Sequence, residues 1–169
     1  MLRWRYSPQA SLADIATLAD LRVALEPGAA RLAAEHASAA QRGAVAAAMA
    51  RLWATVGDSE QFIAADLAFH RAVFEACGND LLLYIHDVVS VALGAIRPLH
   101  THSVAHNRET LPAHQRVAEA IGRGHHHKAE AAMREIVEGA RADALRQHGP
   151  DAPGQHGTDT DSTGGTAAS

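Results

Sequence analysis

Apolar residues recur at helical spacing along most of the chain. Over 14–37, Ile15, Leu18, Leu21, Leu25 and Leu32 lie three, four or seven residues apart, the period of an amphipathic helix. Pro27 falls inside this stretch, which predicts either a kink or the start of a second helix. Ser38 suits the N-cap of a helix over 39–56 that turns Val45, Met49, Leu52, Trp53 and Val56 toward a core. Gly57 breaks that pattern, and Asp58 or Ser59 caps a helix to about 77 with Phe62, Leu67, Phe69, Val73 and Phe74 as its apolar positions. Gly78 and Asn79 end it. Segment 80–96 is apolar almost all round, which predicts the central helix of a bundle, and Pro98 stops it. The His-, Asn- and Ser-rich stretch 99–110 reads as a loop or frayed helix. Segments 112–121 and 128–145 then form a closing helical pair across a turn at 122–127.

Composition supports the same picture. Ala supplies 38 of 169 residues and aromatics only 4%, so local propensity favours helix and gives little support to a sheet. The expected fold is all-α, an antiparallel bundle of six or seven helices. Because much of the apolar fraction is Ala, its helices approach closely around scattered larger side chains, leaving room for a central polar cavity. Residues 148–169 contain no Val, Ile, Leu, Met or aromatic residue and are expected to form a disordered tail. The folded unit is therefore 11–147, preceded by a short segment at 1–10.

Charge and cysteine content narrow the function classes. Fifteen basic residues face nineteen acidic ones, a net charge of -4 that matches poorly the electrostatic footprint of a nucleic-acid reader. This chain by itself is not expected to read DNA. The single cysteine, Cys77, permits neither an intramolecular disulfide nor a cysteine-rich zinc site, and is expected as a small buried apolar residue. The N-terminal MLRWRYSPQA lacks the apolar core of a signal peptide, and no apolar run reaches membrane-spanning length, so a cytoplasmic location is expected.

Twelve histidines raise the question of which could share a site. Asp66 and His70 stand four apart in DLAFH, one turn apart on one helical face, as two ligands of a divalent ion require. The same spacing also arises as a simple helix-stabilising pair. His114 opens a later helix and could supply a third ligand from across the bundle, giving a set suited to Zn, Ni, Mn or Fe with one position open. His125, His126 and His127 fit a solvated turn. The neighbouring His86 and Asp87 are similar to the His-Asp pair of metal-dependent phosphohydrolases, but adjacent helical residues diverge by about 100°, and no further ligand follows. Arg22 reads as an exposed arginine or as the partner of Glu26 one turn on. A phosphate-binding glycine loop, a paired Glu-x-x-His and a G-x-S-x-G turn are all absent from the sequence.

The order of LRVALEPGAARLAAEHAS, FIAADLAFHRAVFEACGNDLL, LPAHQRVAEAIGRG and AEAAMREIVEGAR resembles the C-terminal effector-binding (FCD) domain of the FadR subfamily of GntR transcription regulators. The likeness runs over about 12–145. It is most specific in the R-x-x-x-E-P-x-A-A block at 22–30 and in the D-x-x-F-H block at 66–70, followed by Gly78 and Asn79. The resemblance implies a metal held in the bundle by Asp66, His70 and His114, with Arg22 facing the same cavity and binding effector. Many members carry a fourth histidine in the last helix, where this chain has Ile136. An aliphatic residue there looks most like the branch that senses sugar acids.

The implied function is a ligand-sensing, homodimerising domain of a transcription regulator. A metal with an open position, set across a cavity from a guanidinium, complements a small carboxylate effector. DNA would be read by an upstream winged helix-turn-helix, of which 1–10 resembles only the end of the linker; the chain is read as truncated or begun at a late start codon. A small metal-dependent enzyme on the same cavity is the alternative, set apart by the need for a general acid or base beyond Asp66. A helical interaction module without a small ligand is the third reading.

Overall fold

The computed structural model describes residues 12–96 and 104–148, and all the regular elements among them are helices. In chain order these are α1 (Leu12–His36), α2 (Ala39–Thr55), α3 (Ser59–Ala76), α4 (Asp80–Ile96), α5 (Val104–Arg123) and α6 (His126–His148). They form the expected antiparallel bundle, with six helices. The segment 1–10 and nearly all of the expected tail lie outside the described residues, as do Pro98 and the start of the expected loop at 99–110.

Local signals set most of the boundaries. The Ser38 side chain accepts from the Gln41 backbone N–H while Gln41 Oε1 accepts from the Ser38 backbone N–H at 2.9 Å, a reciprocal capping box that starts α2. Asp58 caps α3 by accepting from the Gln61 backbone N–H at 3.0 Å. Gly78 and Gly124 both have φ near +70°, the left-handed conformation that ends α3 and α5. Of the two alternatives at Pro27, one helix running through it is found rather than a second starting there, while the expected start at Pro112 changes: α5 begins at Val104. A proline removes one ladder bond, and the tertiary burial of α1 and α5 on the core offsets that loss.

The core is small-residue rich, as the composition implies. Ala29, Ala30, Ala33 and Ala34 of α1 are buried against Val45, Met49 and Leu52 of α2, Phe69 and Val73 of α3, Val117 and Ile121 of α5 and Met133 and Val137 of α6. Trp53 does not join them. It is half exposed and donates from Nε1 to Gln115 Oε1, because it sits a 100° step from the buried Leu52. The expectation that α4 is central also fails. Leu81, Tyr84 and Val91 are all more than half exposed, so α4 lies at the flank, and its apolar character leaves an uncovered row rather than a second buried face.

Arg42 near the start of α2 ties the bundle end together. Its guanidinium donates to the carbonyls of Ala37 and Ala34 at the end of α1 and of Ile121 and Gly122 at the end of α5, at 3.0–3.3 Å. These are carbonyls a helix terminus otherwise leaves to water. Arg42→Ala is expected to lower stability by about 1–3 kcal/mol, read from a urea midpoint, with Arg42→Lys recovering only part because one ammonium cannot span both helix ends. Equal stability of all three proteins would contradict this role.

Candidate metal centre

Three helices converge on one buried polar cluster. Arg22 and Glu26 come from α1, Asp66 and His70 from α3, and His114 from α5, each less than a tenth exposed in a core otherwise built of Ala, Val, Leu and Phe. The four-residue spacing places Asp66 and His70 on one face of α3, and His114 approaches from the opposite wall. One ligand atom from each of Asp66, His70 and His114 lies within 4.8 Å of the others, so the three residues singled out in the sequence do meet. They are the one such group among the described residues. His125, His126 and His127 form no such group; the last two begin α6 with their rings 4.2 Å apart.

The contacts within the cluster specify what it lacks. His114 Nδ1 lies 2.9 Å from the Thr110 carbonyl, which can only accept, so Nδ1 carries the proton. In the neutral ring, Nε2 is then a bare lone pair, and it faces Asp66 Oδ1 at 3.0 Å, acceptor against acceptor, with no hydrogen-bond partner among the described residues. His70 repeats the arrangement. Its Nδ1 touches Glu26 Oε2 at 2.6 Å, although the approach is not aligned as a hydrogen bond, and its Nε2 stands 3.7 Å from the same Asp66 oxygen. Both imidazoles turn Nε2 toward one carboxylate oxygen, while Nδ1 of His114 meets a carbonyl and Nδ1 of His70 a carboxylate. This is the outer-shell pattern of metal-ligating histidines. The donor set fits a divalent ion such as Zn, which takes nitrogen and oxygen ligands at about 2.0–2.2 Å.

Glu26, read from sequence only as an ion-pair partner, is the link between the two halves of the cluster. Arg22 Nε donates to Glu26 Oε1 at 2.6 Å, and the pair is buried rather than on the surface. Burial opposes ionisation of Glu26, but Arg22 and His70 outweigh it and hold the carboxyl far below the usual range. Burial likewise opposes the charge on Arg22, and Glu26 and Asp66 outweigh that in turn. Arg22 therefore faces the interior, as the resemblance implies, and there it braces the carboxylate that orients His70.

Two further buried groups were not anticipated as site residues. His86 of α4 stacks on Phe74 at 4.4 Å with Nε2 3.0 Å from Ser90 Oγ, while Asp87 points away to Arg71, which rules out a shared His-Asp site. Burial, and after it the nearby His70, push His86 down to about 4, so it is a neutral wall of the cluster. Asn107 of α5 is fully buried with no partner for its side-chain amide among the described residues. The sequence signal for it was its place two turns before His114 on the same face. Cys77 is buried as expected, and Ile136 packs partly buried against the core.

Residues 17–139 match the FCD domain family. The HTH-type transcriptional repressor NanR of Escherichia coli K12 is 30% identical over 137 residues, covering 81% of this chain and 44% of the repressor, and the Shigella flexneri repressor of that name matches equally. The chain thus spans less than half the length of these relatives. A solved Streptococcus agalactiae GntR superposes with a TM-score of 0.63 at 23% identity, covering 76% of this chain and 58% of that one, and so shares the fold. The chain belongs to the FCD domain family.

Proposed function

We propose that this domain senses a small carboxylate through a divalent metal held by Asp66, His70 and His114, and that a DNA-binding domain carried by the intact regulator reads the outcome. The single observation that supports this most is the pair of buried imidazole nitrogens facing one carboxylate oxygen, an arrangement that calls for a cation between them. Bound there, a divalent ion with three protein ligands supplies a Lewis-acidic open position for an anionic oxygen. Arg22 adds a buried positive charge to the same interior, with Glu26 engaging its Nε and Nη2 edge, and the guanidinium has further donors with which to orient a carboxylate. Binding between α1, α3 and α5 would bias how these helices pack, and a bias in helix packing is what an attached domain or a second copy can detect. The exposed row Leu81, Tyr84 and Val91 on α4 supports pairing of two copies. No helix among the described residues is long and apolar enough to cross a membrane, which agrees with a regulator at work in the cytoplasm.

The test is a thermal-shift screen of small mono- and dicarboxylic acids on zinc-loaded and chelator-treated protein. At least one acid is expected to raise the melting temperature of the zinc form by several degrees and to leave the chelated form unmoved. Arg22→Met is expected to abolish the shift while the protein remains folded by circular dichroism. Acid responses that are identical with and without metal would overturn the reading.

A further inference from the structure

We infer that α1 is a hinged helix: residues 12–22 form a lever that pivots at the turn 23–28, and occupation of the metal centre pins it through the carboxylate of Glu26. This inference rests on the metal site proposed above, and adds the moving part by which occupancy of that site leaves the interior. It begins with the backbone. Pro27 has no N–H, so the carbonyl of Val23 loses its ladder partner inside the 25-residue α1, and Gly28 follows at once. Proline and glycine are the two weakest helix formers, and here they stand side by side.

Different forces hold the two halves of α1. From the pivot onward the helix buries Pro27, Ala29, Ala30, Ala33 and Ala34, an apolar anchor that no ligand controls. Over 16–22 only Leu18 and Arg22 are buried, one apolar side chain and one charge. The helix beside the lever is thin in the same way. α6 meets it through Arg141 and Asp20 at 2.8 Å, an exposed pair of the kind that contributes little, and none of residues 138–146 is buried. The lever therefore depends on what grips Arg22.

Glu26 is that grip, and it spans the weakened turn. Its Oε1 accepts from Arg22 Nε at 2.6 Å on the lever, while its Oε2 lies 2.6 Å from His70 Nδ1 on α3. One carboxylate joins the lever to the metal centre across the place where the backbone lacks a bond. The contact with His70 is close but not aligned as a hydrogen bond, and His70 Nε2 has no hydrogen-bond partner among the described residues. A neutral imidazole carries one proton for its two nitrogens. With Nε2 given to a divalent ion, that proton belongs to Nδ1, where Glu26 is the acceptor, and the added positive character of the ring makes the bond charge-assisted. Loading the centre tightens Glu26 on α3 and, through Arg22, tightens the lever.

The experiment is amide hydrogen–deuterium exchange of the full chain, metal-free and zinc-loaded, with zinc content fixed by elemental analysis. Amides 20–26 donate to carbonyls 16–22 and report on the lever, whereas amides 31–36 report on the anchored half. In metal-free protein the lever amides are expected to exchange at least tenfold faster than the anchored ones, and zinc is expected to shrink that ratio below threefold. The ratio is the readout because zinc that only stabilises the whole domain slows both halves alike. Gly28→Ala stiffens the pivot, and nothing lies within 4 Å of the added Cβ, so the variant is expected to fold. Its metal-free ratio is expected to fall at least threefold below that of wild type, with zinc affinity no weaker. Pro27→Ala, which restores the missing N–H, is expected to act in the same direction. A metal-free lever as well protected as the anchored half would remove the hinge. A ratio that zinc leaves unchanged, in protein shown to hold zinc, would overturn the coupling and leave the metal site standing. Equal metal-free ratios in wild type and both variants would overturn the pivot at Pro27 and Gly28. Protein that takes up no zinc would remove both the metal site and the control of the lever.

Discussion

Glu26→Leu is expected to be the most destabilising single substitution in the polar interior, at about 3–5 kcal/mol, the usual loss when one member of a buried ion pair is deleted. Arg22 is 7% exposed, and its Nε is held by Glu26 at 2.6 Å, so the variant leaves a guanidinium with no comparable anion beside it. The double variant Arg22→Met/Glu26→Leu removes both charges and fills similar volume, and is expected to return to within about 1 kcal/mol of wild type or above it. Stability and function then separate. Without Glu26 nothing fixes His70 by its Nδ1, which lies 2.6 Å from Glu26 Oε2, and loss of such a partner lowers metal affinity about 10–100-fold. Urea titration and competitive zinc titration of the three proteins check both halves. A single variant costing less than 1 kcal/mol would mean that water or another group reaches Arg22. A double variant with wild-type zinc affinity would mean that Glu26 does not orient the ligand.

How far this arrangement could be read from sequence depended on the range of the signal. The helix starts at Ser38 and Asp58 and the stop at Gly78 are local chemistry, set by side chains within three residues of the boundary, and they appear where the pattern places them. The meeting of Asp66 with His70 is also local. Their meeting with His114 is not, and it was legible through a family likeness that carries long-range contacts the pattern cannot. Pro112 misled, and Pro27 left two alternatives open, because proline reports a lost ladder bond, whereas the helix persists when enough apolar surface is buried on either side of it. Segment 80–96 misled for a related reason. An all-round apolar helix signals a lack of solvent contact without naming what excludes the water, and within one chain Leu81 and Tyr84 remain open. Glu26 and Asn107 were hidden by ambiguity of type: a glutamate one turn from an arginine usually lies on a surface, and a lone asparagine in a polar stretch usually caps or turns. Only burial marks them, and burial is a property of the assembled bundle.

Zinc is expected to be the largest single source of stability in this domain. Saturation at a free concentration a thousandfold above its dissociation constant contributes about 4 kcal/mol, which for a domain of this size raises the melting temperature by roughly 10 °C or more. Chelation should reverse the gain, and His70→Ala or Asp66→Ala should eliminate it along with the bound metal measured by elemental analysis. His114→Leu separates this site from a plain ion pair. If a charged His114 simply bridged to Asp66, removing it would strand a buried carboxylate, and the metal-free variant would fall about 3–5 kcal/mol below metal-free wild type. If Nε2 instead awaits a cation, the metal-free protein holds two acceptors 3.0 Å apart, and replacing one by an apolar side chain relieves that contact. Metal-free His114→Leu is therefore expected to match or exceed metal-free wild type in urea, while gaining nothing from zinc. A large loss of metal-free stability, with the zinc response of wild type also absent, would make the cluster a structural ion pair.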